Sequence, residues 1–238
     1  MNPVSKILRK ILPLQYCGAV IVAAGSASRM GGIDKALAPI GGVPVILRTV
    51  RAFAQCDCIK EIVIVTREDQ LSQVADLCAD ISKVTAVVTG GKDRPESVRK
   101  GLSALSKKAK LVAVHDGARP LVTMEVIDRT VRAAHSYGAA APGVPVKDTI
   151  KIVKGGVVTG TPDRCLLQAI QTPQVFDLDL LKGALVKAKR DKAAITDDCS
   201  ALERMGMSVK IVEGDERNIK ITTPTDLKTA QMLLEEMQ

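Results

Sequence analysis

Two short stretches of this chain combine small residues, cations and a carboxylate in a way that suits an anionic ligand. The first is Ala23-Ala24-Gly25-Ser26-Ala27-Ser28-Arg29-Met30-Gly31-Gly32, which continues an apolar run without a break. Small side chains let backbone N–H groups approach an anion closely, and such a nest can cradle phosphates. Arg29 in this loop and Lys35, ten residues after Gly25, add two cations. Both could meet the negative charge that grows on a phosphoryl group in transfer. The loop is no P-loop, because no Gly-Lys-Ser/Thr follows, and Ala27 stands at the third position of the dinucleotide pattern GxGxxG. The second stretch is Val114-His115-Asp116-Gly117-Ala118-Arg119-Pro120. An acid at the carboxyl end of a strand, beside the first loop, lies where ligands bind in open α/β sheets. Mg2+ takes one or two carboxylates plus substrate phosphates, so Asp116 suffices as its protein anchor. The alternative for an isolated Asp is a helix cap. His115 reads as a strand residue packed near the site.

The elements that must position these residues follow an α/β rhythm. Gly18–Ala24, Glu61–Thr66, Val84–Thr89 and Leu111–His115 are short, β-branched and nearly continuous, as strands buried on both faces are. Between them Val43–Gln55, Glu68–Ala79 and Pro95–Ser106 have helical spacing. The alternation predicts parallel strands with right-handed crossovers, and so an α/β fold: a doubly wound three-layer α/β/α sandwich with a mostly parallel sheet. After residue 138 the rhythm changes. Ala139–Val146 is small and apolar, Asp148–Val153 alternates, Gly155-Gly156 supplies a turn and Val157–Thr161 follows. This reads as a β-hairpin arm projecting from the sandwich at about 145–165. A strand near Gln171–Phe176, a helix at Leu178–Lys189, a strand at Ser208–Glu213 and a helix at Pro224–Glu236 complete the pattern. Residues 1–16 read as an N-terminal extension and 17–238 as one domain.

Composition narrows the function classes. Trp is absent and there are two Phe and two Tyr, so the core must be Val, Ile, Leu and Ala. Stacking platforms for bases are nearly missing, which argues against single-stranded nucleic acid as a partner. The net charge of +8 suits polyanions, but net charge speaks to solubility and non-specific attraction, and many of the lysines fall on solvated helix faces. Six cysteines occur without a CxxC, and Cys56-x-Cys58 lacks a second half for a zinc site. Scattered thiols fit the reducing cytoplasm. Lys6, Arg9 and Lys10 before Ile11–Ala24 faintly suggest a signal peptide, yet Pro13 and Gln15 interrupt the apolar run and it is too short to span a membrane. A cytoplasmic protein without a membrane partner is expected.

Seven blocks together resemble the 2-C-methyl-D-erythritol 4-phosphate cytidylyltransferase family of the non-mevalonate isoprenoid pathway. They are AAGSASRMG with Lys35, GGKDRPES (Gly90–Ser97), HDGARP, PVKDTIK (Pro145–Lys151), QTPQ (Gln171–Gln174), ITDDCSALE (Ile195–Glu203) and EGDERNIKIT (Glu213–Thr222). The resemblance spans about residues 18–236. It implies transfer of CMP from CTP to a polyol phosphate with loss of pyrophosphate, Mg2+ as cofactor, and a homodimer with shared sites. It also implies roles. The amides of Ala24, Gly25 and Ser26 would hold the triphosphate, with Arg29, Lys35 and Lys220 as the catalytic cations. Gly91, Lys92 and Ser97 would frame the cytosine, and Asp116 would hold the metal. Arg119, Thr172, Thr196 and Asp197 would line the polyol side. Thr149 and Arg164, on the arm, would reach the polyol phosphate of a partner subunit. Two departures stand out: Asp34 and Ala36 flank Lys35 where many members have Pro and Gln, and Lys92 stands where an acid is frequent. The alternative acceptor is ribitol 5-phosphate. A nicotinamide oxidoreductase is disfavoured by the glycine spacing and by Thr66-Arg67 where an acid should end the second strand.

Overall fold

The computed structural model describes residues 13–25 and 34–237. Ser26 and Arg29, like most of the N-terminal extension, lie outside the described residues.

Strands β1 (Cys17–Val22), β4 (Ile59–Thr66), β5 (Val84–Thr89) and β6 (Leu111–Asp116) form the parallel half of one sheet, with β1 between β4 and β6 and β5 beyond β4. Consecutive residues of β1 face opposite layers. Ala19 and Ile21 enter one apolar cluster and Val20 the other, as the two-residue period of a strand requires. Helices α1 (Val45–Gln55), α2 (Leu71–Leu77) and α4 (Met124–Tyr137) cover the first face. Helices α3 (Arg94–Ala104), α5 (Leu178–Arg190) and α6 (Asp198–Glu203) cover the second. That is the three-layer sandwich expected. Helix α7 (Pro224–Glu236) packs on a smaller cluster with Ile40, Leu121 and Ile221. Ile40 belongs to β2 (Pro39–Ile40), which forms a minute hairpin with β3 (Val43–Pro44).

The other half of the sheet is mixed. β7 (Ala139–Pro145) and β10 (Gln168–Ile170) pair antiparallel, β11 (Gln174–Asp177) runs antiparallel to both β7 and β6, and β12 (Lys210–Glu213) lies parallel to β7. The strand expected to begin at Gln171 begins at Gln174. Gln171 N–H still donates to the Pro142 carbonyl of β7 at 2.8 Å, but Pro173 has no N–H to give a ladder. The arm is real but shorter than its sequence suggests: among the described residues β8 (Ile152–Lys154) and β9 (Val157–Gly160) pair with each other alone, across Gly155-Gly156. Both turn glycines have positive φ, 57° and 80°, the geometry of a tight hairpin turn.

α4 adds a helix to those read from the sequence. It buries Val126, Ile127, Thr130, Val131 and Ala134, starts under a Thr123 cap on Val126 N–H, and stops at Gly138, whose φ of 86° suits glycine.

Candidate active site

The segments that follow β1 and β5 and the end of β6 converge on a cleft of about 400 Å3, a size suited to a small-molecule site. Ala24 and Gly25 continue β1 into it, Asp116 ends β6 above it, and Lys35, Gly91, Lys92, Ser97 and Lys220 complete the part foreseen from sequence. Arg94, Asp93, Ala36, Gly117 and Ala118 line it too. Arg94 is the consequential addition; it lies within GGKDRPES, where its charge was the available signal.

Asp116 is the electrostatic centre. It is buried, and Lys220 Nζ stands 2.9 Å from its carboxylate, Arg119 Nε 3.5 Å and Arg94 Nε 3.6 Å. Burial opposes its ionisation, but Lys220, Arg94 and Arg119 together overcome it and hold the carboxyl well below the usual carboxylate range. Arg94 is itself fixed by the buried Asp198, 2.8 Å from its Nη1. The cleft thus presents an ionised acid among cations, a lining that suits a polyanion better than a neutral ligand.

Behind Asp116 runs a chain of hydrogen bonds. Asp116 N–H donates to Thr172 Oγ1 (3.1 Å), and Thr172 Oγ1 lies 3.0 Å from His115 Nδ1. His115 Nε2 lies 3.2 Å from the Arg119 carbonyl. That carbonyl can only accept, so Nε2 carries the hydrogen, and Nδ1 accepts from Thr172. Burial pushes the His115 pKa down to about 3, which keeps the ring neutral. Thr172 was expected to line the polyol side. It is buried with its hydroxyl committed between Asp116 and His115, so it does not face the cleft.

The nucleotide side is shaped by backbone. Ser97 Oγ accepts from Gly91 N–H (3.0 Å) and donates to the Asp93 carbonyl (2.9 Å), while Asp93 caps α3 through Glu96 N–H. A Cβ on Gly90 would collide with Ala24 and press on Ser97 Oγ, so glycine is required where this stretch meets the first loop. Lys35 Nζ lies close to Gly25, 3.8 Å from where a Cβ would stand. Its turn is tied down by Asp34, which accepts from Ala36 N–H (2.9 Å) and Gln70 and pairs with Arg67 (2.8 Å). The unusual residue before Lys35 is therefore a fastening to the end of β4.

The remaining expectations fall outside the cleft lining. Asp197 is a helix cap, accepting from Ser200 N–H (2.9 Å) and Gln174 Nε2 (2.7 Å), so its carboxylate is occupied. Together with Thr196 it borders a small dent beside Arg94. Thr149 and Arg164 are exposed on the arm, and Arg164 donates to the Lys147 carbonyl at 2.8 Å. Within a single chain neither is part of the cleft.

Residues 17–236 match the family model for 2-C-methyl-D-erythritol 4-phosphate cytidylyltransferase. The chain belongs to this family. The member from Caldanaerobacter subterraneus subsp. tengcongensis is 46% identical over 221 residues, covering 91% of this chain and 97% of that one. The member from Geobacillus kaustophilus is 45% identical over 219 residues, covering 91% and 96%. Among solved structures, the 4-diphosphocytidyl-2C-methyl-D-erythritol synthase of Anaerococcus prevotii superposes with a TM-score of 0.84 at 33% identity, over 93% of this chain and 96% of that one. The Thermus thermophilus cytidylyltransferase gives 0.76 at 31% identity, over 93% and 100%. Among the described residues no group of three or more His, Cys, Asp or Glu could hold a metal, and no helix is long and apolar enough to cross a membrane.

Proposed function

We infer that the chain transfers CMP from CTP to the phosphate of 2-C-methyl-D-erythritol 4-phosphate, giving 4-diphosphocytidyl-2-C-methyl-D-erythritol and pyrophosphate. The observation that carries this is the ionised Asp116, ringed by Lys220, Arg94 and Arg119, at the mouth of the first βα loop. The relatives reported above are named for methylerythritol, which favours that acceptor over ribitol 5-phosphate.

In the reaction an acceptor phosphate oxygen forms a bond to the α-phosphorus. The bond from that phosphorus to the bridging oxygen breaks, and its electron pair leaves on pyrophosphate. A phosphate monoester is already ionised at neutral pH, so no protein base is needed. Both reactants are anions, and catalysis rests on positioning and on charge stabilisation. The amides after β1 and Lys35 hold the triphosphate, with Ser26 and Arg29 assigned there by their place in the loop. Lys220 draws the acceptor phosphate toward the α-phosphorus. Gly91, Lys92 and Ser97 bound the space for a pyrimidine.

Mg2+ fits the donors present, a single ionised carboxylate with room for substrate phosphates, and Asp116 would hold it. When bound it supplies Lewis-acid neutralisation of phosphate charge. The arm completes the proposal. Val157 is 67% exposed and Leu166 82%, and such apolar surface calls for a cover. A second copy clasping the arm would supply it and bring Thr149 and Arg164 to the neighbour's acceptor phosphate. Six free thiols agree with work in the cytoplasm.

Pyrophosphate release measured with each nucleoside triphosphate and each acceptor tests the reading. CTP with methylerythritol phosphate should dominate. Equal use of all four triphosphates would overturn the pyrimidine site, and faster turnover with ribitol 5-phosphate would reassign the acceptor.

A further inference from the structure

Lys220 sits at the cleft on a segment with no regular structure, between β12 and α7. A lysine on such a segment has a flexible four-carbon stem, and nothing in its own rotamers aims it. Asp116 holds its ammonium at 2.9 Å, and the loop backbone sets where its stem starts. Two buried amide side chains hold that backbone. Asn218, 0% exposed, donates through Nδ2 to the Thr172 carbonyl at 2.9 Å and to Gln171 Oε1 at 3.2 Å. Gln171, also buried, donates through Nε2 to the Asp215 carbonyl at 2.7 Å and accepts from Asp215 N–H at 3.3 Å. The Gln171 side chain thereby serves Asp215 as a neighbouring strand would.

We infer that the Gln171–Asn218 pair is the positioning device for Lys220, fixing the loop that sets its ammonium against Asp116. The pair sits between the two groups it would register. Gln171 immediately precedes Thr172, which takes the Asp116 amide hydrogen, and Asn218 lies two residues before Lys220. The Asn218 carbonyl also accepts from Arg119 Nη1 at 2.7 Å, and Ile221 N–H donates to the Ala118 carbonyl at 2.8 Å. The 214–221 segment is thus stitched to the Asp116 loop on one side and to Gln171–Thr172 on the other. Asn218 Oδ1 is buried without a partner among the described residues. The reverse orientation would set that oxygen against the Thr172 carbonyl and Gln171 Oε1, so the donor-inward orientation is enforced. A buried unpaired oxygen is a cost that a packing role could avoid with an apolar side chain.

The inference rests on the transfer reading for its kinetics but not for its structural readout. Asn218→Ala should lower kcat roughly 10–100-fold, the scale of a misplaced reacting group, with KM for CTP nearly unchanged. In a Lys220→Ala background the same substitution should cost no more than about threefold, because a residue acting through Lys220 has nothing left to lose. Equal losses in both backgrounds would overturn the proposal. Independently of turnover, the rate of Lys220 acylation by an amine reagent, read by mass spectrometry against Lys228, should rise several-fold in Asn218→Ala. An unchanged rate would also overturn it. Should Asn218→Ala fail to fold, Gln171→Ala carries the same two measurements. If wild-type protein releases no pyrophosphate while the labelling changes as expected, the transfer reading falls and the clamp stands.

Discussion

The cleft and the arm treat their side chains in opposite ways. In the cleft, charged groups are answered from within the chain: the buried Asp116 by Lys220, Arg94 and Arg119, and the half-buried Arg94 by the buried Asp198. In the arm, apolar groups stand in the open. Ile152, Val153, Val157 and Val158 are exposed on a two-stranded sheet that pairs with nothing else among the described residues, and Leu166 is exposed in the turn that follows it. A two-stranded ribbon is marginal by itself in water. The contrast teaches that one chain pairs the charges of its cleft but leaves the apolar side chains of its arm uncovered.

The sharpest test of the cleft is Asp116→Asn, which keeps shape and removes the one charge its cations converge on. Turnover should fall about 10³-fold or more, with the melting temperature moving by only a few degrees in a thermal scan. Near-native turnover at saturating Mg2+ would make Asp116 a structural residue. Lys35→Ala and Lys220→Ala should each lower kcat by roughly 10²-fold, the loss of one preorganised cation. A change confined to KM would assign the lysine to ground-state binding.

The arm is tested by mixing. Arg164→Ala and Asp116→Asn chains, each nearly inactive, should partly restore turnover after subunit exchange, since a mixed dimer has one site free of both lesions. Confirmed exchange without recovery would return Arg164 to its own chain. Val157→Asp with Leu166→Asp should shift the light-scattering mass from two chains to one and leave the far-ultraviolet spectrum unchanged. An unchanged mass would show that the arm's apolar face is not the contact.

The smallest effect concerns His115. Its pKa falls from the ordinary range to about 3 on folding, so between those values the unfolded chain binds the extra proton. Stability should therefore be complete above about pH 6.5 and decline as pH drops, by at most about 1.4 kcal/mol per unit. His115→Asn should be less stable at pH 7 but lose less between pH 7 and 5, as read by urea midpoints. Equal losses would place the pH sensitivity elsewhere.

The parallel half of the fold was legible because its strands are uninterrupted apolar runs. β5 was read as Val84–Thr89, the span the structure gives it, and α7 likewise as Pro224–Glu236. The mixed half was harder. α4 alternates buried Val126, Ile127 and Val131 with charged Glu125, Asp128, Arg129 and Arg132, a pattern that only a 3.6-residue period reveals. Of the site, the residue types and most cleft positions were visible in the motifs. What the motifs conceal is where a hydroxyl or carboxylate is already engaged. Thr172 is bound to a histidine 57 residues away and Asp197 to a glutamine 23 residues away. Those partners meet only once the sheet has formed.

The arm's two feet have a consequence of their own. It leaves the sheet at Pro145 and returns at Gln168, and these two residues are direct partners in the β7–β10 ladder. The excursion thus begins and ends at one point of the scaffold, like a detachable handle. A chain in which residues 146–167 are replaced by Asn-Gly would join β7 to β10 by a two-residue turn already suited to their register. The scaffold with its cleft should fold without the handle. By the same token, lengthening or re-sequencing the handle costs the scaffold little, since closure entropy grows only slowly with loop length. The sequence of the handle can therefore drift in evolution while the cleft stays as it is.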